Sequence, residues 1–355
     1  LTLTGTLTLN SNRTLEITNT GETSFGDVNL ASSRDLNLNV ATTAIVDGVA
    51  SGTGRIIKSG AGTLVLADDN SYTDNTIINA GTLQIGNGGT TGSVTGNITN
   101  NGALVFDRSN AYDYANVISG SGSVEQTGTG NLTLSATNTY SGDTTVASGS
   151  TLTLSADNAL GTGSTTVASG GTLALTGGIT VDQSTFTLAG TGNAAAGAVQ
   201  NLAGDNRLGG DFALSAATTL QSDAGTLRLG DDPPASDYAT DTFALGSNTL
   251  TIDGAGDTEL NAGLSGSGNL IKAGVVDKSS TTAFTGEVLI NDGELIQATL
   301  FNDAPGVGPF EDFGINGDIT IGDGTGAPSS ATLTIGTNEA GGANDFANVI
   351  GENVN

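Results

Sequence analysis

The chain has no cysteine, histidine, methionine or tryptophan, and only 5 of its 355 residues are proline. Each absence closes off chemistry. Without Cys and His there is no disulfide, no Ser-His-Asp triad and no Cys-His pair. Zinc loses its usual nitrogen and sulfur ligands, which leaves only oxygen-ligated metals. Positive charge is scarce too: 9 basic residues face 36 acidic ones, for a formal charge of −27. Such a field repels nucleic acid and anionic membrane, so no nucleic-acid partner is expected. No apolar run approaches the roughly 18 residues of a spanning helix, and no membrane insertion by this segment is expected. The missing initiator Met reads as a mature piece or a window of a longer repetitive chain, with any signal peptide upstream. Aromatics make up only 4%, while 55 residues are Gly. That balance resembles disorder, but the hydrophobic 36% is arranged with a period.

The opening Leu1-Thr2-Leu3-Thr4-Gly5-Thr6-Leu7-Thr8-Leu9 alternates apolar and polar residues, the period-2 signature of a half-buried strand. The same device returns at Leu36–Val40, Thr63–Leu66, Leu132–Leu134, Thr151–Leu154, Leu173–Leu175, Leu227–Leu229, Leu250–Ile252 and Leu333–Ile335, with Gly, Asn, Asp and Ser between. Helix signals are confined to Ala194 to Leu202, where Gly197 interrupts. An all-β chain of this length with no Trp suits a solenoid better than a sandwich or barrel. Each solenoid coil needs only short strands and a narrow core of small aliphatic side chains.

Internal repeats select the solenoid. Gly52-Thr-Gly54-Arg-Ile56-Ile-Lys58-Ser-Gly60-Ala-Gly62-Thr-Leu64-Val-Leu66, followed by Asn70-Ser-Tyr72, returns without a gap as Gly120-Ser-Gly122-Ser-Val124-Glu-Gln126-Thr-Gly128-Thr-Gly130-Asn-Leu132-Thr-Leu134, followed by Asn138-Thr-Tyr140. A degenerate third copy starts Gly266-Ser-Gly268-Asn-Leu270-Ile-Lys272-Ala-Gly274 and reaches Phe284-Thr-Gly286. The copies occupy 52–86, 120–155 and 266–298. The shared string GxGxLxKxGxGxLxLxxxNxYxGxTxVxxGxL resembles the passenger-associated repeat of bacterial autotransporters and related large surface proteins. Gln126 stands where Lys is usual, and Asp74 stands where a Gly follows the tyrosine. The resemblance implies a right-handed parallel β-helix, secreted and displayed at a Gram-negative cell surface. At roughly 20 residues per coil, the whole chain makes about 17 coils and a single continuous rod about 80 Å long.

Side loops are expected near 190–209, 231–241 and 300–313, because these stretches break the strand rhythm. Loops that leave a solenoid are where binding usually resides, with a surface glycan or protein as the target. Asp231, Asp232, Asp237 and Asp241 form the densest acidic cluster and are a candidate Ca²⁺ cage, in a loop marked by Pro233 and Pro234. No other cofactor is expected. The remaining Asp residues sit in turn contexts such as Asp47-Gly48 and Asp253-Gly254. Thr2, Thr4, Thr6 and Thr8 form an outward array of the kind seen on ice-binding solenoids, or show ordinary β propensity. Residues 345–351 resemble 113–119, the lead-in to the second copy, and neither end carries an obvious cap. Two explanations fit: the chain is a window cut from a longer protein, or its open ends stack in head-to-tail self-association by ladder extension, and the two are compatible. The reading is a non-catalytic extracellular structural or adhesive protein, a stiff rod or fibre subunit. The alternative is a carbohydrate-active or glycan-binding β-helix with an Asp-based site on one sheet face.

Overall fold

The computed structural model describes residues 1–31, 33–230 and 241–273. Beyond them it describes the backbone pairing of Val275–Lys278, Thr281–Phe284, Val288–Asp292, Glu294–Gln297, Ile319–Ile321 and Thr332–Ile335. Every strand pairing among these residues is parallel. One ladder can be followed residue by residue: Thr2, Ser24, Ile45, Val65, Gln84, Val105, Glu125, Thr145, Thr166, Thr187, Ala213, Ala244 and Ser265. This is a parallel β-solenoid of about 12 turns.

The turns are built on three faces, the second of which carries only the isolated Asp69–Ser93 bridge between Ala50–Gly52 and Tyr112–Tyr114. The first carries Thr63–Leu66, Thr82–Ile85, Ala103–Phe106 and Ser123–Gln126. The second carries Val28–Leu30 and Ala50–Gly52, then Tyr112–Tyr114, Asn131–Leu134 and Thr151–Leu154. The third carries Asp35–Val40, Arg55–Ser59, Thr76–Ile78, Ile98–Asn100 and Ile118–Gly120. Later in the chain, Thr180–Gly190 and Asn206–Ser222 run round corners without breaking. Asn206–Ser222 thus pairs with Thr226–Leu229, Thr242–Gly246 and Leu250–Asp253 on three faces in succession.

The core is a set of stacked columns, because in-register parallel strands place like positions on like positions. One column runs Ala44, Leu64, Leu83, Leu104, Val124, Thr144, Thr165, Phe186, Phe212, Phe243 and Leu264. Composition suggested small aliphatic filling throughout, yet the three phenylalanines stack face to face at 5.0 and 5.1 Å. A column in a solenoid widens without disturbing the neighbouring columns, so scarce aromatics can be concentrated in one place.

Three expectations change. The opening nine residues are not one alternating strand: Thr2–Leu3 lies on the first face and Leu7–Thr8 on the second, with Gly5 in the corner between them. Thr2 and Thr8 therefore point from different faces, and the flat Thr array does not exist. Residues 190–209 do not leave the rod as a side loop. Val199–Ala203 and the start of Asn206–Ser222 are strands in the ladder, and the longest stretch outside a strand is 191–198, in which Gly192, Gly197 and Ala198 are buried. Within that stretch the expected short helix is a three-residue 3-10 turn, Asn193–Ala195. Buried ladder partners on the turns either side hold Val199 in extended backbone, which outweighs the local Ala-rich preference. The expected loops 231–241, except Asp241, and 300–313 lie outside the described residues.

Candidate functional site

The repeat motif is a set of corner devices, and its Gly, Lys, Asn and Tyr positions each have a physical task. Gly52 and Gly120 open the first two copies with φ of 107° and 104°. A Cβ at Gly120 would stand 2.2 Å from the Asn100 carbonyl of the turn before, so the position needs both the conformation and the bareness of glycine.

Lys58, at the Lys of the string, is fully buried. Its ammonium donates to the carbonyls of Ser59 (2.9 Å), Gly60 (2.7 Å) and Ala80 (3.0 Å), closing the corner and tying it to the next turn. Burial lowers its pKa to about 8. In the second copy Gln126 closes its own corner with its amide, donating to Gly128 and Gly130 at 3.0 and 2.9 Å. The Gln126 Oε1 is buried without a partner.

Asn70 and Asn138 stitch three turns together. Asn70 Oδ1 accepts the N–H of Ala50 at 2.8 Å, and its Nδ2 donates to Ser93 O at 3.0 Å. Asn138 repeats this with Ile118 N–H at 2.7 Å and Ala159 O at 2.6 Å. Tyr72 and Tyr140 are fully buried, and their hydroxyls pair with Thr76 Oγ1 at 2.5 Å and Thr144 Oγ1 at 2.6 Å. Burial pushes both phenols well above the ordinary tyrosine range.

The copies do not stack on one another. Ile56 of the first copy is on the third face and its counterpart Val124 is on the first. Leu64 is on the first face and Leu132 on the second. The segment 266–298 places Leu270–Ala273 on the second face. Each of these three copies is rotated by one face relative to the copy before.

The acidic residues are dispersed. Among the described residues no three acidic groups come together in a metal-holding cluster. Asp241, one of the four calcium candidates, accepts the Gly210 N–H through Oδ2 at 2.7 Å, and its carbonyl accepts from Gly263. Asp231, Asp232 and Asp237 lie outside the described residues. Basic side chains join neighbouring turns. Arg55 pairs with Asp35 (3.2 Å) and Asp74 (2.8 Å), Arg207 with Asp182 (2.7 Å) and Arg228 with Glu259 (2.6 Å). These cations are held by carboxylates.

Sequence reading missed the most elaborate corner. Between Thr82–Ile85 and Ser93 the chain makes a glycine-rich excursion, residues 86–92. Arg108, 8% exposed, reaches into it from the next turn. Its Nη1 donates to Gly92 O (2.7 Å) and Asp69 Oδ1 (3.1 Å), Nη2 to Thr90 O, and Nε to Asn110 Oδ1 (3.0 Å). The guanidinium lies 4.8 Å over the Tyr112 ring. The only sequence signal was Arg108 itself, a basic residue in an acidic chain. The one recess described nearby, between Phe106, Arg108, Tyr112 and Gln126, has no enclosed space for a water-sized molecule.

Comparison with known proteins agrees with this geometry. The passenger-associated-transport-repeat family matches residues 56–85, 124–150 and 149–175. The first two matches fall within the expected copies at 52–86 and 120–155. The match at 149–175 was not singled out in the sequence and follows directly on the second copy. An adhesin autotransporter of Brucella suis biovar 1 (strain 1330), BmaC, is 62% identical over 53 residues, which are 15% of this chain and 2% of that protein. The chain thus spans a very small part of that relative's length. No solved structure matches. The chain carries autotransporter passenger repeats. No helix among the described residues is long and apolar enough to cross a membrane.

Proposed function

We propose that this chain is a stretch of the extracellular rod of an autotransporter adhesin, acting by adhesion and not by catalysis. The observation that carries the reading is the use made of the polar groups. The motif's Lys, Gln, Asn and Tyr side chains are spent on closing corners and joining turns, and Arg55, Arg108, Arg207 and Arg228 on ion pairs. Among the described residues the rod presents corners to its surroundings, and no three acidic groups gather in one cluster. The adhesin name of the partial relative points the same way. The dispersed negative charge keeps such a rod soluble.

Stacking of one rod on another is the finer part of the proposal, since a parallel ladder extends by adding a strand from a second chain. It is supported by the pairing pattern alone. The adhesive reading is tested with surfaces coated with the purified 355-residue chain. Cultured epithelial cells should be retained several-fold above an albumin coat. Retention equal to albumin, or release of reducing ends from polysaccharide by the chain, would overturn it.

A further inference from the structure

The excursion at 86–92 is costly for a mere corner. Ser93, which ends the excursion, pairs with Asp69, so the equivalent link one turn earlier needs only residues 67–68, and the one two turns later only 127–130. It also stands where the second face is interrupted: the three-stranded sheet ends at Ala50–Gly52, and the face resumes as a ladder at Tyr112–Tyr114. The excursion is nonetheless held on all sides. Gly88 N–H donates to Asp107 O (2.9 Å), Ser109 N–H to Gly89 O (2.8 Å) and Thr91 Oγ1 to Ala67 O (2.8 Å), in addition to the Arg108 bonds. Gly86, Gly88 and Gly92 supply the positive φ values of 85°, 73° and 106° that the path requires. Three turns are thus spent on fixing one protrusion.

We propose that this knob is a recognition surface for an uncharged glycan, a proposal that rests on the adhesive reading above. Residues 86–92 carry no charge in a chain of −27. The exposed side chains at its tip are Asn87, Thr90 and Thr91, with Ser109 beside them. Amide and hydroxyl groups on short side chains give and accept hydrogen bonds as sugar hydroxyls do, and they have little rotamer freedom to lose. Arg108 has already ordered the backbone, so binding does not have to. Asp69 beside the knob is exposed, but its Oδ1 is taken by Arg108 (3.1 Å) and the Gly92 N–H (3.2 Å), so the pair leaves the knob's surroundings without an unpaired cation to attract sialylated or sulfated chains. A protein partner is disfavoured because no large apolar side chain is exposed there: among the described residues those are Leu1, Leu3 and Leu202.

The test is binding of the whole 355-residue chain to an array of uncharged, sialylated and sulfated oligosaccharides, followed by titration of the strongest uncharged one. The Asn87→Asp/Thr90→Asp variant changes only exposed positions. Thr166→Asp, also exposed but four turns away on the first face, is the control. The expected result is uncharged glycans preferred, binding at least about ten-fold weaker in the knob variant and unchanged in the control. No binding of any uncharged glycan, or equal binding by knob variant and control, overturns the inference. If the knob variant still retains cells as the parent chain does, the knob is wrong and the adhesive reading stands. If the parent chain retains no cells, the adhesive reading itself fails.

Discussion

Lys58 shows most plainly what a single letter of the repeat does. Its three protons meet three carbonyls in a buried corner. Lys58→Met leaves those carbonyls unpaired and should cost about 2 kcal/mol or more, while Lys58→Gln, copying the second repeat, should cost within about 1 kcal/mol; urea unfolding of the two variants measures the difference. The same residue gives a pH dependence. Its pKa is about 8 in the folded chain against 10.5 ordinarily, so between these values the unfolded chain holds a proton that the folded chain has released. Stability should therefore gain a contribution as pH rises from about 8 to 10.5, a contribution that Lys58→Gln lacks; denaturation midpoints across that range compare the two. The Tyr–Thr pair offers a cleaner double-mutant cycle. Tyr140→Phe and Thr144→Val should each cost about 1 kcal/mol, and the double variant less than their sum, because each single change orphans a buried hydroxyl. The string made these positions visible, since Asn, Tyr and Thr recur at one spacing. It did not show why Gln replaces Lys, because the shared task lies in carbonyls that no side-chain pattern records.

At the scale of the strand, hydrophobic alternation identified most of the ladder correctly: Leu64, Leu132, Leu152 and Leu173 are all inward and buried. Leu132 pairs with Tyr112 on one side and Leu152 on the other. Leu132→Asp places a carboxylate between them and should unravel its own turn and both neighbours. Loss of β circular dichroism and new protease cuts between 112 and 154 are expected. An unchanged digest would mean that Leu132 is not inward. Alternation failed where a corner fell inside an alternating run, as at Gly5, because period 2 continues across a bend that only backbone direction reveals. It failed again at 190–209, where strands are recruited by the turns above and below and not by their own composition. Gly120→Ala should destabilise by more than about 1 kcal/mol despite adding one methyl group, since both φ and the Asn100 carbonyl oppose it; thermal unfolding decides this.

At the scale of the molecule, the repeat length and the turn length do not match, and this has a consequence that the sequence could not display. Counterparts in the copies at 52–86, 120–155 and 266–298 sit on successive faces, so what these copies present outward is carried round the rod, while the repeat matched at 149–175 stacks directly on the second copy, Leu152 on Leu132. The glycine abundance and acidity that first resembled disorder belong to the same construction, as bare corners that let turns approach and charges spread along the surface. The knob at 86–92 remained hidden for a related reason: its anchor, Arg108, is a turn away in the chain and adjacent only once the ladder has formed. All of this depends on one continuous ladder. The natural absence of cysteine makes that ladder directly measurable, because two introduced cysteines would be the only thiols in the chain. With spin labels at Gln84→Cys and Ala213→Cys, six ladder steps apart on the first face, pulsed electron resonance should give a single narrow distance near ~29 Å. A broad distribution, or a distance well away from six strand spacings, would contradict the solenoid and every functional inference built upon it.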